Sequence, residues 1–254
     1  MVLTFTANRG IYHSLIVDIR IVPDYAALSQ EAAKLIASAI RQNPGLVLGL
    51  AAGNTPLGAY HELVRLHREE HLDFSRTVFF NLDEYSDVEQ SHIQKFHDFL
   101  QLNLVQQINI RRTNVHFLSY PTGDAERYCD AFEREIRQSG GIDLQILGIG
   151  INGHIAFNEP GSAIDSRTRI VTLEAGGAPA SPKTAVTMGV ATILESHRIL
   201  LLASGPQKAG VLAKALEGPV TPKTPASALQ QHHDVVVIAD KESAADLQRL
   251  KRAG

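Results

Sequence analysis

The sequence has few of the features that mark secreted or membrane proteins. Cys129 is the one cysteine among 254 residues, which excludes an internal disulfide framework and fits a reducing compartment. No apolar run reaches the length of a membrane span, and the start of the chain, with its early Arg9, does not form a convincing signal peptide. We therefore expect a cytoplasmic protein without a membrane partner.

An excess of positive charge is also lacking. The formal net charge is −3, and no long block of Lys and Arg appears, so the sequence does not suggest a nucleic-acid partner. His67 and His71 have helical i,i+4 spacing, but no Glu-bearing zinc motif accompanies them. The histidines that show no consistent ligand set are His92, His97, His232 and His233. We expect no metal.

Short apolar runs dominate the rest of the chain. Five near-continuous runs, typical of strands buried on both faces of a parallel sheet, lie at 46–50, 77–82, 144–149, 199–203 and 234–239. Residues 115–118 and 168–173 are candidates for additional strands, at an edge of the sheet. The stretch 174–182 is small, polar and rich in Pro and Gly, which indicates a loop.

Helical patterns alternate with these runs. Apolar positions at helical spacing precede and follow the first run, at Leu28, Ala32, Leu35, Ile36 and Ala39 and then at Leu57, Tyr60, Leu63 and Val64. Ser91 and Gln94 form a capping box for a helix running toward Gln106, and 126–138 and 206–216 are further helices.

The alternation predicts an α/β fold: a single-domain, doubly wound, mostly parallel sheet with helices on both faces, a Rossmann-like three-layer sandwich. With 44% hydrophobic residues the chain can build a sizeable core in one such domain. We assign it to residues 15–254, and we set residues 1–14 apart as a candidate N-terminal extension.

The most informative segment follows the apolar run 144–149. Glycines let the backbone turn sharply there, and the turn presents His154 and Glu159, a base and its orienting carboxylate, beyond the carboxyl end of the strand. Open parallel sheets bind ligands at that edge. The alternative is an ordinary glycine-rich turn with a surface histidine.

Two further loops indicate an anion site. In Gly53-Asn54-Thr55-Pro56, Thr55 is a candidate helix cap and Pro56 suits the first turn, so free N–H groups and the helix dipole favour a phosphate. Lys208 lies in the first turn of another predicted helix, where a cation opposes the dipole unless an anion binds there. A capped helix that binds nothing and a snorkelling surface lysine are the alternatives.

Asp83 and Glu84 follow the run 77–82. Side chains alternate along a strand, so the two carboxylates do not face one ligand together, and one of them is solvated or structural. A carboxylate at the carboxyl edge of a central strand is a candidate general base, although an isolated surface acid is the simpler interpretation.

Together these motifs resemble the glucosamine-6-phosphate deaminase family, in its shorter bacterial form. The resemblance runs from about residue 16 to residue 240. It depends on Gly-Asn-Thr-Pro at 53–56, Phe-Asn-Leu-Asp-Glu-Tyr at 80–85, Gly-Ile-Asn-Gly-His-Ile-Ala-Phe-Asn-Glu-Pro-Gly at 150–161, Ser-Arg-Thr-Arg at 166–169 and Gln-Lys-Ala at 207–209. It implies that glucosamine 6-phosphate becomes fructose 6-phosphate and ammonia, without an organic cofactor.

The resemblance also implies roles for individual residues. Asp83 would move a proton from C2 to C1, and His154 would assist opening of the sugar ring. Asn152 and Glu159 would orient that histidine. The phosphate would be held by Gly53, Asn54, Thr55 and Lys208.

Departures from the family leave alternatives open. Ala52 stands where threonine is usual, and the segment 174–181 lacks an arginine that usually reaches the phosphate, which predicts weaker binding unless Lys183 or Arg169 compensates. The alternatives are a 6-phosphogluconolactonase-like hydrolase, a galactosamine-6-phosphate deaminase and a non-catalytic sugar-phosphate sensor. Family members range from monomers to hexamers, so a homo-oligomer is also open.

Overall fold

Eleven strands form two sheets in the described part of the chain. A computed structural model describes residues 2–7 and 15–16 as backbone, and residues 17–86, 95–173 and 184–248 in full. In chain order the strands are β1 Val2–Ala7, β2 Leu15–Val22, β3 Val47–Leu50, β4 Val78–Asn81, β5 Asp83–Tyr85, β6 Val115–His116, β7 Leu144–Gly148, β8 Arg169–Thr172, β9 Thr184–Thr187, β10 Arg198–Ala203 and β11 Asp234–Asp240.

The main sheet has eight strands in the order β1-β2-β11-β10-β7-β3-β4-β6. β1 pairs with β2 antiparallel, and the other pairs are parallel. All five apolar runs form strands of this sheet, and the expected edge strand at 115–118 is the two-residue β6. The prediction of a doubly wound, mostly parallel sheet is confirmed.

Helices connect the strands. They are α1 Tyr25–Gln42, α2 Asn54–Glu70, α3 Phe96–Asn103, α4 Ala125–Gln138, α5 Val190–Leu194 and α6 Ala209–Glu217. Asp24 and Asp124 cap α1 and α4 by accepting hydrogen bonds from Ala27 N and Arg127 N. The helix predicted at 206–216 is a 3₁₀ turn, Pro206–Lys208, followed by α6. The proposed capping box at Ser91 and Gln94 lies outside the described residues, and α3 begins at Phe96.

Apolar cores on opposite faces of the sheet produce the three layers. Val236 and Ile238 of β11 pack into the core that contains the buried faces of α1 and α2. Val235 and Val237 pack into the core that contains α4 and α6. Alternate residues of one strand thus bury apolar surface on both sides, which is why these strands are apolar without interruption. No helix among the described residues is long and apolar enough to cross a membrane.

A second, antiparallel sheet in the order β5-β9-β8 lies next to the carboxyl edge of the main sheet. Asp83 pairs with Thr187, and Met188 N donates to Leu82 O at 2.7 Å, so β5 continues directly from β4 into this small sheet. The strand expected at 168–173 therefore forms here as β8, not at an edge of the main sheet. The patterns above contained no expectation of β1, β2, β5 or β9.

Candidate active site

A cavity of about 270 Å³ lies at the carboxyl ends of four parallel strands. Its walls come from the segments that follow β3, β4, β7 and β10, and they include Asp83, His154 and Lys208. The four loops singled out in the sequence therefore converge on one crevice, as expected for an open parallel sheet.

The start of α2 forms one end of this cavity, where Gly53, Asn54 and Thr55 line the wall. The N-cap of the helix is Gly53, so the expectation that Thr55 caps it is wrong. Gly53 has φ +122°, a conformation that side chains disfavour, and it lets the chain enter the helix two residues earlier than predicted. Backbone N–H groups of a first helical turn, together with the dipole of a 17-residue helix, form a favourable place for an anion.

Lys208 lies at the same cavity, at the start of α6. Its ammonium group is partly buried, and burial lowers its pKa because a charge is less stable away from water. No described carboxylate forms an ion pair with it. A bound anion would supply the charge partner that no described carboxylate provides.

Asp83 and Glu84 have different surroundings. The Asp83 carboxyl lines the cavity and is 7% exposed, and burial, with a smaller contribution from the charge of Glu84, raises its pKa to about 8. Glu84 points away and accepts hydrogen bonds from the backbone N–H groups of Tyr85, Phe96 and His97 at 2.8–3.0 Å. Glu84 is thus the structural member of the pair, since it satisfies the first turn of α3.

His154 and Glu159 meet as the sequence predicted. His154 Nδ1 lies 2.8 Å from Glu159 Oε1, an ion-pair distance without the alignment of a linear hydrogen bond. Asn152 Nδ2 donates to Glu159 Oε2 at 2.5 Å, and Asn152 Oδ1 accepts the His154 N–H at 3.1 Å. Asn152 therefore fixes the carboxylate and the backbone of the histidine together.

Burial is the largest influence on His154 and lowers its pKa. The positive charge of Lys208 lowers it further, whereas Glu159 opposes both effects. The net direction favours a neutral imidazole near pH 7, which is the form that accepts a proton.

Glycine is required under the histidine. A Cβ on Gly150 would lie 2.4 Å from two atoms of the His154 ring, so the ring packs directly on the backbone. Gly153 has φ +91°, and a Cβ there would lie 2.8 Å from Thr224 Cγ2. The glycines of the 150–161 motif therefore permit both the turn and the close approach of the ring.

An aromatic wall, formed by Tyr85, Phe96 and Phe157, lines the cavity beside Asp83. The ring centroids are 4.9 Å apart for Tyr85–Phe96 and for Tyr85–Phe157, and 5.7 Å apart for Phe96–Phe157. The sequence reasoning assigned no role to these rings. Tyr85 and Phe157 lie inside the motifs at 80–85 and 150–161, which was the available signal, whereas Phe96 lies outside both motifs.

Arg169 lies outside the cavity lining. Its guanidinium donates to Asn158 Oδ1 at 2.9 Å, and the Asn158 amide donates to the carbonyls of Ile155 and Met188. Arg169 thus braces the loop that carries Phe157 and Glu159, and it does not line the cavity as the compensating phosphate ligand considered above. Lys183 and the segment 174–181 lie outside the described residues.

No group of three or more His, Cys, Asp or Glu side chains in the described ranges is arranged to hold a metal ion. The side chains at the site provide a buried carboxyl, an imidazole–carboxylate pair and an anion-binding end.

Fold and site place the chain among the doubly wound α/β proteins that bind ligands at the carboxyl edge of a parallel sheet. Within that class it belongs to the glucosamine-6-phosphate isomerases/6-phosphogluconolactonase family, which matches residues 24–238.

Several relatives are similar over most of their length. A glucosamine-6-phosphate deaminase of Thermoanaerobacter sp. (strain X514) is 43% identical over 235 residues, which cover 89% of this chain and 93% of that protein. One of Clostridium botulinum (strain Kyoto / Type A2) is 41% identical over 237 residues, covering 89% and 97%.

Two solved structures are also similar to this chain in fold. The structure of a monomeric glucosamine-6-phosphate deaminase is 41% identical and has a TM-score of 0.84, covering 90% of this chain and 99% of that one. A 6-phosphogluconolactonase from Trypanosoma cruzi has a TM-score of 0.72 at 23% identity, covering 90% and 96%, which shows a common fold.

Proposed function

We propose that this protein converts glucosamine 6-phosphate and water into fructose 6-phosphate and ammonia. One observation carries the proposal: the buried Asp83 carboxyl lines the same cavity as His154 and Lys208. Isomerisation needs a group that moves a proton between adjacent carbons, and lactone hydrolysis needs none. The deaminases similar over nine-tenths of the chain support this choice.

The phosphate binds at one end of the cavity. The first-turn N–H groups around Gly53, Asn54 and Thr55 donate to it, and the Lys208 ammonium supplies the opposite charge. Fixing the phosphate sets the distance of C1 and C2 from the catalytic groups, so binding energy is converted into orientation.

His154 opens the ring. The neutral imidazole accepts the proton of the C1 hydroxyl, the C1–O5 bond breaks, and the proton is delivered to O5, which leaves an open-chain aldehyde. Glu159 stabilises the imidazolium formed on the way, and Asn152 keeps Glu159 in place.

Asp83 then moves the second proton. Its carboxylate takes the proton from C2 of the open chain, and the C2–H electron pair forms the C1=C2 bond of the enolamine while O1 takes a proton from the C2 ammonium group. The Asp83 carboxyl then returns its proton to C1. The resulting C2 imine adds water and releases ammonia, giving fructose 6-phosphate. The three rings of the aromatic wall exclude water around the intermediate.

The raised pKa of Asp83 suits this cycle. A carboxyl with a pKa of about 8 is a stronger base than an exposed aspartate and returns its proton readily near neutrality. The amino group of the substrate lies on C2, and in its ammonium form it favours the ionised carboxylate at the moment of proton transfer.

We further propose that the protein acts as a monomer in the cytoplasm. A relative of 41% identity is described as monomeric, which supports this state over a homo-oligomer. Light scattering after size-exclusion chromatography gives the mass directly, and a dimer or hexamer mass contradicts the monomer.

Ammonia release from a panel of sugars tests the proposed activity. The purified protein is expected to release ammonia from glucosamine 6-phosphate faster than from galactosamine 6-phosphate, and to act poorly on glucosamine without phosphate. Hydrolysis of a 6-phosphogluconolactone without any ammonia release would favour the hydrolase, and binding of the phosphosugar without turnover would favour the sensor.

A further inference from the structure

A buried carboxylate, Asp240, lies next to the loop that leads to Lys208. Asp240 is the last residue of β11 and is 4% exposed. Its Oδ1 accepts a hydrogen bond from Ser243 N at 2.8 Å, and its Oδ2 accepts one from Ser204 Oγ at 2.5 Å. Gly205 N lies 3.0 Å from Oδ2 and 3.2 Å from Oδ1.

These contacts join β11 to the end of the neighbouring strand β10. Ser204 and Gly205 are the first residues after β10, and Ser243 Oγ donates to Ala203 O, the last carbonyl of that strand, at 2.8 Å. The carboxylate of Asp240 thus accepts hydrogen bonds from the side chain of Ser204 and from the backbone N–H of Gly205. Hydrogen bonds thus connect both strands and the turn at the edge where the cavity opens.

The turn in question sets the position of Lys208. Gly205 has φ +88°, and its carbonyl accepts the Lys208 N–H at 3.1 Å, which closes the 3₁₀ turn Pro206–Lys208. A shift of Gly205 therefore moves the backbone of Lys208 directly. Lys208 is the residue of this turn that lines the cavity.

We propose that Asp240 is a positioning residue for the phosphate: it fixes the Ser204–Gly205 turn and through it places the Lys208 ammonium. The inference extends the proposed function, because it takes Lys208 as the phosphate's charge partner. Asp240 itself touches no substrate atom in this scheme.

The charge of Asp240 makes the inference testable by the direction in which a substitution changes phosphate affinity. A negative charge near an anion site weakens anion binding by repulsion, so Asp240→Asn would tighten phosphate binding if charge were its only influence. An asparagine amide presents a donor to the N–H groups of Gly205 or Ser243, which loosens the turn and weakens phosphate binding. Positioning and simple charge thus predict opposite changes.

The experiment measures KM and kcat for glucosamine 6-phosphate, and the dissociation constant of inorganic phosphate by calorimetry. In Asp240→Asn we expect both KM and the phosphate dissociation constant to rise about tenfold, as for loss of hydrogen bonds to a charged group, with kcat changed much less. Asp234→Asn, at the opposite end of β11 and paired with Arg198 on the surface, is the matched control. It should leave both constants unchanged.

A double-mutant cycle with Lys208→Ala shows whether the effect passes through the lysine. If Asp240 acts through Lys208, Asp240→Asn causes little further weakening of phosphate binding in the Lys208→Ala protein. Full additivity, unchanged phosphate binding or tighter phosphate binding in Asp240→Asn overturns the inference.

A milder variant tests the same inference if the Asp240→Asn protein does not fold. Ser204→Ala removes one hydrogen bond to Asp240 and should weaken phosphate binding by a few-fold. An unchanged phosphate dissociation constant there contradicts the inference.

Phosphate binding by the wild-type protein distinguishes a failure of this inference from a failure of the proposed function. A wild-type protein that binds phosphate but releases no ammonia would refute the proposed activity and leave the inference to be decided by the same variants. A wild-type protein that does not bind phosphate refutes the inference itself.

Discussion

Asp83 and Glu84 are adjacent in β5, yet one carboxyl lines the cavity while the other holds the first turn of α3. Glu84 accepts three backbone N–H groups, whereas no described residue donates a hydrogen bond to the Asp83 carboxyl. We therefore assign a stabilising role to Glu84 and a reactive role to Asp83. Substitutions of these two neighbours form a matched pair.

The first prediction concerns turnover. Asp83→Asn removes the proton shuttle and should lower kcat by a factor of about 100 or more, as for loss of a general base. Glu84→Gln should lower the melting temperature, because one oxygen that accepts backbone N–H groups becomes an amide. Ammonia release by Asp83→Asn above a tenth of the wild-type rate would rule out the assignment.

The second prediction concerns stability. The folded-state pKa of Asp83, about 8, exceeds the unfolded value near 3.8, so the folded protein keeps a proton that the unfolded chain loses. The stability associated with Asp83 is therefore fully present below pH 4 and is lost as the pH rises through 8.

Because asparagine does not titrate, Asp83→Asn should be more stable than wild type above pH 8, by about 2 kcal/mol or more. The two proteins should converge near pH 4. Urea unfolding at both pH values provides the measurement, and a difference that is independent of pH would contradict the buried-carboxyl interpretation.

The third prediction concerns the pH profile. Burial lowers the pKa of His154, so in the enzyme–substrate complex, where the ammonium group of the substrate favours the ionised Asp83, the acid limb of kcat should lie below the usual histidine value of about 6.5. Asn152→Asp adds a negative charge beside Glu159, raises the pKa of His154 and should move this acid limb to higher pH. Asn43→Asp adds the same charge at the exposed end of α1 and should leave the profile in place.

The substitution His154→Gln is a second test of the role of His154 in ring opening. It should reduce turnover of the cyclic amino sugar more than turnover of the open-chain ketose in the reverse direction, since the first requires ring opening. Equal losses in the two directions would place His154 in another step.

The fourth prediction concerns the phosphate. Lys208→Ala should raise KM for the phosphorylated sugar at least about tenfold, because a charge-assisted contact is lost. Lys214→Ala, an exposed lysine of the same helix α6, is the control and should leave KM unchanged. If both variants have the wild-type KM, the cavity does not use Lys208 for the phosphate.

The fifth prediction concerns Gly150. Gly150→Ala places a methyl group against the His154 ring and should lower kcat by about 10- to 100-fold through misplacement of the imidazole. A Cβ at Gly45 meets nothing closer than 3.6 Å, so Gly45→Ala should keep full activity. Wild-type turnover by Gly150→Ala would show that the ring position is unimportant.

Much of the fold could be predicted because the central strands are apolar on both faces. β2 was missed because Asp18 and Arg20 interrupt its apolar pattern. The structure shows that Arg20 pairs with Asp18 at 3.0 Å and with Glu31 of α1 at 2.8 Å, so the charges satisfy one another locally. β5 and β9 are three and four residues long and form by pairing with each other across 100 residues of chain, which no local pattern reveals.

The polar motifs of the candidate site could be predicted from the sequence. The residues that hold those motifs in place could not. Strand alternation indicated that one of Asp83 and Glu84 is structural, but only the position of α3 shows which one. The roles of Phe96 and Asp240 depend on elements that are distant in sequence and adjacent in space, as does the brace from Arg169 to Asn158. Thr55 was taken for a cap because its residue type suits that position, whereas the φ of Gly53 decides it.

Transfer of the C2 proton by Asp83 is the central claim, and glucosamine 6-phosphate deuterated at C2 tests it most directly. The account predicts slower ammonia release from the labelled substrate by wild type, and fructose 6-phosphate in which part of the deuterium is found at C1 and the remainder in solvent. Asp83→Asn should transfer none. Ammonia release that yields a sugar phosphate with deuterium still at C2, or no ammonia release at all, would contradict it.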